Sequence, residues 1–153
     1  MRDPATESYV STFRKAGVAG IPCTEVDISD VQRELGVELP PAYKAFLTIA
    51  GNGFEPLEGS LYAVEDDLCE LQQAGRRIAA DQKTALLPGA FVFLVHQGFA
   101  CLFFVLHDMD DPVDFQCVEG SGAPRPISKR FSEWVLEQLA AYRALKDRRS
   151  HRT

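Results

Sequence analysis

Phe91-Val92-Phe93-Leu94-Val95-His96-Gln97-Gly98-Phe99-Ala100-Cys101-Leu102-Phe103-Phe104-Val105-Leu106 is an apolar stretch broken only around Gln97-Gly98. Aromatic and β-branched runs on either side of a short Gly-containing break are the pattern of two strands joined by a tight hairpin, with Gly supplying a positive φ. Pairing His96 with Phe99 across the turn puts Phe91, Phe93, Val95, Ala100, Leu102 and Phe104 on one face. Val92, Leu94, Phe99, Cys101, Phe103 and Val105 then share the other. Both faces are apolar, so the hairpin must be covered on both sides and belongs in the middle of the domain.

The flanking sequence offers the cover. Tyr43, Phe46, Leu47 and Ala50 recur at helical spacing after Leu39-Pro40-Pro41, where proline suits a first helical turn, and Gly51-Asn52-Gly53 stops that helix. At the other end Phe131, Trp134, Val135, Leu139, Tyr142 and Leu145 form a longer stripe, with Ser128 as the expected N-cap. These two helices are expected to cover the hairpin. A first helix is predicted from Asp3-Pro4 to about Gly17, with Tyr9, Val10 and Phe13 on its apolar side. Residues 23–27 read as an extended connector, and Ser29-Asp30-Val31-Gln32 has the form of a capping box opening a short helix that Gly36 ends. Residues 61–63 suggest a short strand, and a helix is predicted from Val64 to about Ala80, with Glu65, Asp66 and Asp67 in its first turn. Residues 113–118 alternate as a further strand, and residues 119–126 read as a loop. Helices segregated from a compact antiparallel sheet make an α+β fold, expected as a single domain over residues 1–153 with a frayed tail from about 147.

Composition narrows the function classes. The chain has 153 residues, 46% hydrophobic and 25% charged, which suits a soluble globular domain able to bury roughly two-thirds of its unfolded surface. No apolar run approaches the roughly 18 residues of a membrane span, and Met1-Arg2-Asp3-Pro4 lacks an apolar signal region, so a cytoplasmic protein is expected. A net charge of −6 disfavours direct nucleic-acid binding and suits a basic partner. The four cysteines, Cys23, Cys69, Cys101 and Cys117, include no Cys-x-x-Cys pair and read as reduced, mostly buried thiols.

The sequence lacks the familiar catalytic patterns. There is no Gly-x-Ser-x-Gly, Gly-x-Gly-x-x-Gly, Walker A or His-Glu-x-x-His sequence. Cys101 or Cys117 could be paired with His96 or His107 as nucleophile and base, but both cysteines sit in apolar strands as small core residues would. His96 and His107 cannot share a metal, because His107 lies roughly 27 Å along an extended strand from the turn. Asp108, Asp110, Asp111 and Asp114 lack the glycine and glutamate of a calcium loop and read as a solvated acidic turn. No metal and no cofactor are expected. His96-Gln97-Gly98 is read as a hairpin turn, with a partner-facing role for His96 and Gln97 as the alternative.

The chain resembles the SUKH superfamily, which joins a fungal cell-wall assembly regulator to many bacterial immunity proteins. The resemblance runs in order through residues 28–35, Gly36-Val37-Glu38-Leu39-Pro40-Pro41-Ala42-Tyr43-Lys44-Ala45-Phe46-Leu47, Asn52-Gly53, the hairpin with His96-Gln97-Gly98, and Ser128-Lys129-Arg130-Phe131-Ser132-Glu133-Trp134-Val135. It covers about residues 25–145. The closing helix departs from the usual pattern at Lys129-Arg130 and at Trp134-Val135. The resemblance implies a non-enzymatic protein that binds and neutralises a secreted bacterial toxin, a nuclease or another nucleic-acid-directed one among the candidates. The alternative is a regulatory or scaffold module for an endogenous partner. The expected partner is a basic toxin domain, met by a monomer or weak dimer. The contact residues expected are Asn52 and Phe54 after the third helix, the acidic groups Glu65, Asp66, Asp67 and Asp108, Asp110, Asp111, and the tips His96 and Gln97. Two acidic groups on one side would form a single steering surface.

Overall fold

The computed structural model describes residues 4–64, 67–106 and 110–150. Its elements are α1 (Pro4–Ala16), β1 (Gly20–Ile21), α2 (Glu25–Leu35), α3 (Pro41–Ala50), β2 (Gly53–Phe54), a 3-10 turn (Glu55–Leu57), α4 (Leu68–Asp81), β3 (Ala90–His96), β4 (Ala100–Val105), β5 (Val113–Val118), β6 (Arg125–Arg130) and α5 (Phe131–Ser150). Strands β3 to β6 form an antiparallel meander in chain order, and β1 pairs with β2 in a two-stranded ribbon. The fold is α+β, as the sequence predicts.

The hairpin forms, with its register divided in two. Away from the turn Phe91 faces Phe104 and Val92 faces Phe103, the expected pairing. Near the turn His96 pairs with Ala100 instead of Phe99, Val95 with Cys101 and Leu94 with Leu102. Gln97 (φ 50°) and Gly98 (φ 77°) make the turn, and Phe99 is left outside the ladder, 37% exposed. A bulge between Val92 and Leu94 compensates for that extra residue. Val95 and Leu94 consequently exchange the faces expected of them.

The cover also differs from expectation. Helices α3 and α5 pack on the same face: the Tyr43 ring meets Phe91 and Phe104 edge-on at 5.4 Å, and Phe93 meets Phe131 and Trp134 at 5.2 Å. The opposite face is covered by α4, whose Leu71, Ile78 and Ala79 are buried. Gly75 lets α4 approach, since a Cβ there would lie 2.5 Å from Cγ2 of Val92. Alanine would gain about 1 kcal/mol of helix propensity but force a stiff β-branched neighbour to move at about 1–3 kcal/mol. Gly75→Ala is therefore expected to lower stability by up to about 2 kcal/mol in urea unfolding.

Several element ends are set differently from the sequence reading. Helix α2 begins at Glu25, because Thr24 and Asp27 form the capping box in place of Ser29 and Gln32: Asp27 N–H donates to Thr24 Oγ1 (3.1 Å) and Thr24 N–H donates to Asp27 Oδ2 (2.9 Å). Helix α4 begins at Leu68, with Asp67 as its N-cap in a left-handed conformation. In place of the short strand expected over residues 61–63, Leu61 makes an isolated bridge to Val95. The expected 119–126 loop gives way at Arg125 to an edge strand, β6, which contains Ser128. Helix α5 is capped instead by Asp111, whose Oδ1 accepts from Ser132 N–H (3.0 Å) and whose other oxygen accepts from the Ser132 hydroxyl. The cap stands 21 residues away in the chain, so no local pattern could reveal it.

Candidate partner-binding surface

A groove of about 330 Å³ lies between α2 and the start of α4. Val31, Leu35, Val64 and Leu68 supply apolar lining, and Asp27, Asp30, Glu34, Asp67 and Cys69 the remainder. The acids on α2 fall on one stripe, because intervals of three and four residues return to the same helical face. Asp67 joins them as the cap of α4, its Oδ1 accepting from Cys69 N–H at 3.0 Å and from Glu70 N–H at 3.4 Å.

The charges in the groove leave a signature on its thiol. Burial, then the carboxylates of Glu34 and Asp67, push the Cys69 thiol above its usual range. Asp27 is held below the usual carboxylate range by the Thr24 backbone N–H and then by the Thr24 side chain. Arg33 pairs with Asp30 at 2.6 Å, but both side chains are exposed and the pair contributes little. An apolar floor beneath several carboxylates can take the stem of a long cationic side chain while the acids bind its head. A thiol held protonated makes a poor nucleophile. Among the described residues no group of three or more His, Cys, Asp and Glu side chains is arranged to hold a metal.

The residues expected at the site are divided by the fold. Glu65, Asp66 and Asp108 lie outside the described residues, as does His107. Asp67 lies in the groove near the C-terminal end of α3, tied there because Val64 N–H donates to Gly51 O and Asp67 N–H to Val64 O. Asp110 and Asp111 lie at the other end of α3, where Ala42 N–H donates to Asp110 O. Ten helical residues, about 15 Å, separate these ends, so Asp67 stands apart from Asp110 and Asp111. Asp111 is also occupied in capping α5.

Asn52 is half-buried, with its N–H donating to Ile21 O at 2.9 Å. Phe54, expected among the contacts, is instead a core residue: it is only 2% exposed, stacked on Phe13 and edge-on to Phe46, both at 5.2 Å. His96 is half-buried, its Nδ1 2.8 Å from Ser60 Oγ and its ring edge-on to Phe99, while Gln97 is exposed at the turn. Asp27, Asp30 and Glu34 were not among the expected contacts. Their helical spacing is present in the sequence, but the expected helix starts at Ser29, and the capping pair Thr24 and Asp27 starts it at Glu25.

The SMI1 / KNR4 family (SUKH-1) model matches residues 22–137, most of the chain and all of the elements from α2 into α5. The protein belongs to this family. Membership places it in the SUKH superfamily that the order of its motifs resembles. No curated protein matches the chain. Among the described residues no helix is long and apolar enough to cross a membrane. For a SUKH-1 protein a role in protein interaction, either toxin immunity or regulation, is consistent with the family.

Proposed function

We propose that this SUKH-1 protein is a non-enzymatic immunity protein that neutralises a secreted bacterial toxin, and that the groove between α2 and α4 receives a basic surface of the toxin. The groove carries this reading: it gathers Asp27, Asp30, Glu34 and Asp67 around an apolar floor in a chain of net charge −6. Neutralisation is stoichiometric, the complex covering the toxin's active site or blocking its substrate channel. A toxin acting on nucleic acid fits, since it must carry basic residues for phosphate. The immunity protein acts in the cytoplasm, as a monomer or weak dimer, and binds the toxin without touching nucleic acid. Asn52 follows Gly51, whose O accepts from the N–H of the groove residue Val64, and Glu65 and Asp66 precede Asp67 in the sequence. His96 and Gln97 at the hairpin tip, with Asp108, Asp110 and Asp111, are secondary contacts.

The test is association kinetics with the toxin domain encoded by the neighbouring gene. Reversing Asp30 and Glu34 to lysine should slow association by about tenfold at low salt and flatten its salt dependence, because steering acts mainly on the encounter. An unchanged on-rate and salt slope would remove the groove from the interface. Family membership equally fits a regulatory module for an endogenous partner. Absence of a neighbouring gene for a large toxin with a variable C-terminal domain, together with co-purification of a host protein, would favour that reading.

A further inference from the structure

Cys101 on β4 and Cys117 on β5 are direct cross-strand partners. Residues opposed in this way in an antiparallel pair point to the same face, and their Cα atoms lie about 4.5–5.5 Å apart, inside the range a disulfide bridges. Both are free thiols, at 0% and 1% exposure, in the two central strands of the sheet. Cys101 also faces Val95 on β3, which puts the pair on the face covered by α4. We propose that Cys101 and Cys117 are a latent cross-strand disulfide site, oxidised by a peroxide when the sheet opens and then stapling β4 to β5.

The buried environment explains why the pair persists as thiols. Burial, with the neighbouring Cys117 adding to it, pushes Cys101 up to about 12, and burial also raises Cys117. The nucleophilic thiolate is therefore scarce in the closed sheet, and α4 keeps oxidant away. Local opening removes both barriers. One thiolate then attacks the peroxide O–O bond, forming a sulfenic acid and releasing hydroxide, which takes up the proton the thiol lost. The second thiol displaces the sulfenic oxygen as water, so the net change is two thiols and one hydrogen peroxide to one disulfide and two waters.

The test uses the full chain carrying Cys23→Ala and Cys69→Ala, which leaves only the opposed pair. Hydrogen peroxide in urea below the unfolding midpoint should give a Cys101–Cys117 linked peptide in a non-reducing digest and an intact mass lower by two hydrogens. Without urea the reaction should be at least about tenfold slower, since opening limits it. The oxidised form should melt about 6–12 °C higher, the effect of closing a loop of this length, and dithiothreitol should reverse the shift. The singly substituted Cys101→Ala chain should fold and form no intramolecular bridge. A rate independent of urea, overoxidation of both sulfurs without a bridge, or a melting temperature unchanged or lowered by oxidation would overturn the proposal.

Discussion

Asp114→Asn is expected to abolish a steep loss of stability between pH 4 and pH 8. Asp114 is fully buried on β5 opposite Phe104, on the sheet face that carries the aromatic cluster. Neither of its carboxylate oxygens has a hydrogen-bond partner among the described residues. Burial, and then the charge of Asp111, push its carboxyl up to about 8. In the folded protein the group stays protonated at neutral pH, whereas in the unfolded chain it ionises near its ordinary value of 3.8. Between those two values the folded state holds one more proton than the unfolded state. Stability therefore falls as pH rises, by up to about 1.4 kcal/mol per pH unit, and the loss is complete above pH 8. Below the unfolded value both states are protonated and the group contributes no slope.

Asparagine has nearly the same shape and does not titrate. Urea unfolding of both proteins from pH 4.5 to pH 9 should therefore give curves that diverge as pH rises, with the variant more stable by several kcal/mol at pH 9. Slopes from the other titrating groups cancel in the difference. Parallel curves would show that Asp114 has an ordinary affinity for its proton.

Gln72→Leu should cost about 2–5 kcal/mol, an effect out of proportion to the loss of one amide. Gln72 on α4 is 7% exposed, and its side chain completes the outer edge of β3 as a further strand would. Val92 N–H donates to Gln72 Oε1 at 2.7 Å, and Gln72 Nε2 donates to Val92 O at 2.8 Å and to Leu68 O at 3.1 Å. Further along the same edge Leu61 N–H donates to Val95 O, and Val95 N–H donates to Leu61 O. The bulge accounts for both bridges: regular alternation would turn Val92 and Val95 to opposite edges, and one inserted residue turns them to the same one. Leucine fills the space but leaves the buried N–H and C=O of Val92 without partners, each costing about 1–3 kcal/mol. Gln72→Glu provides a second check. Its carboxylate can accept from Val92 N–H but repels Val92 O unless protonated, so that variant should lose more stability at pH 8 than at pH 4. Two variants no less stable than the parent would show that water satisfies the edge.

The elements that were legible in the sequence are those whose evidence is local. The stripe of Tyr43, Phe46, Leu47 and Ala50 needs only helical periodicity and a proline start, and all four residues are buried where expected. The far half of the hairpin register follows from residue order alone, and Phe91 faces Phe104 as read. Misreadings arose where a residue answers to a distant partner. Asp111 caps α5 across the fold, β6 exists because β5 pairs with it, and Phe54 is buried because α1 and α3 close over it. Of the candidate groove, its acidic character and Asp67 were legible in the sequence, while Asp27, Asp30 and Glu34 become neighbours of Asp67 only when α2 packs beside α4.

The sequence by itself determined an α+β domain with a central apolar hairpin, an acidic balance and the order of motifs that resembles the SUKH superfamily, because period, turn chemistry and net charge are summed along the chain. Tertiary structure alone decided which helices cover which face, where the bulge falls, and how charges group. The reason is steric and electrostatic: Gly75 admits α4 to one face of the sheet, the aromatic cluster binds α3 and α5 to the other, and about 15 Å of α3 separates Asp67 from the end that meets Asp110.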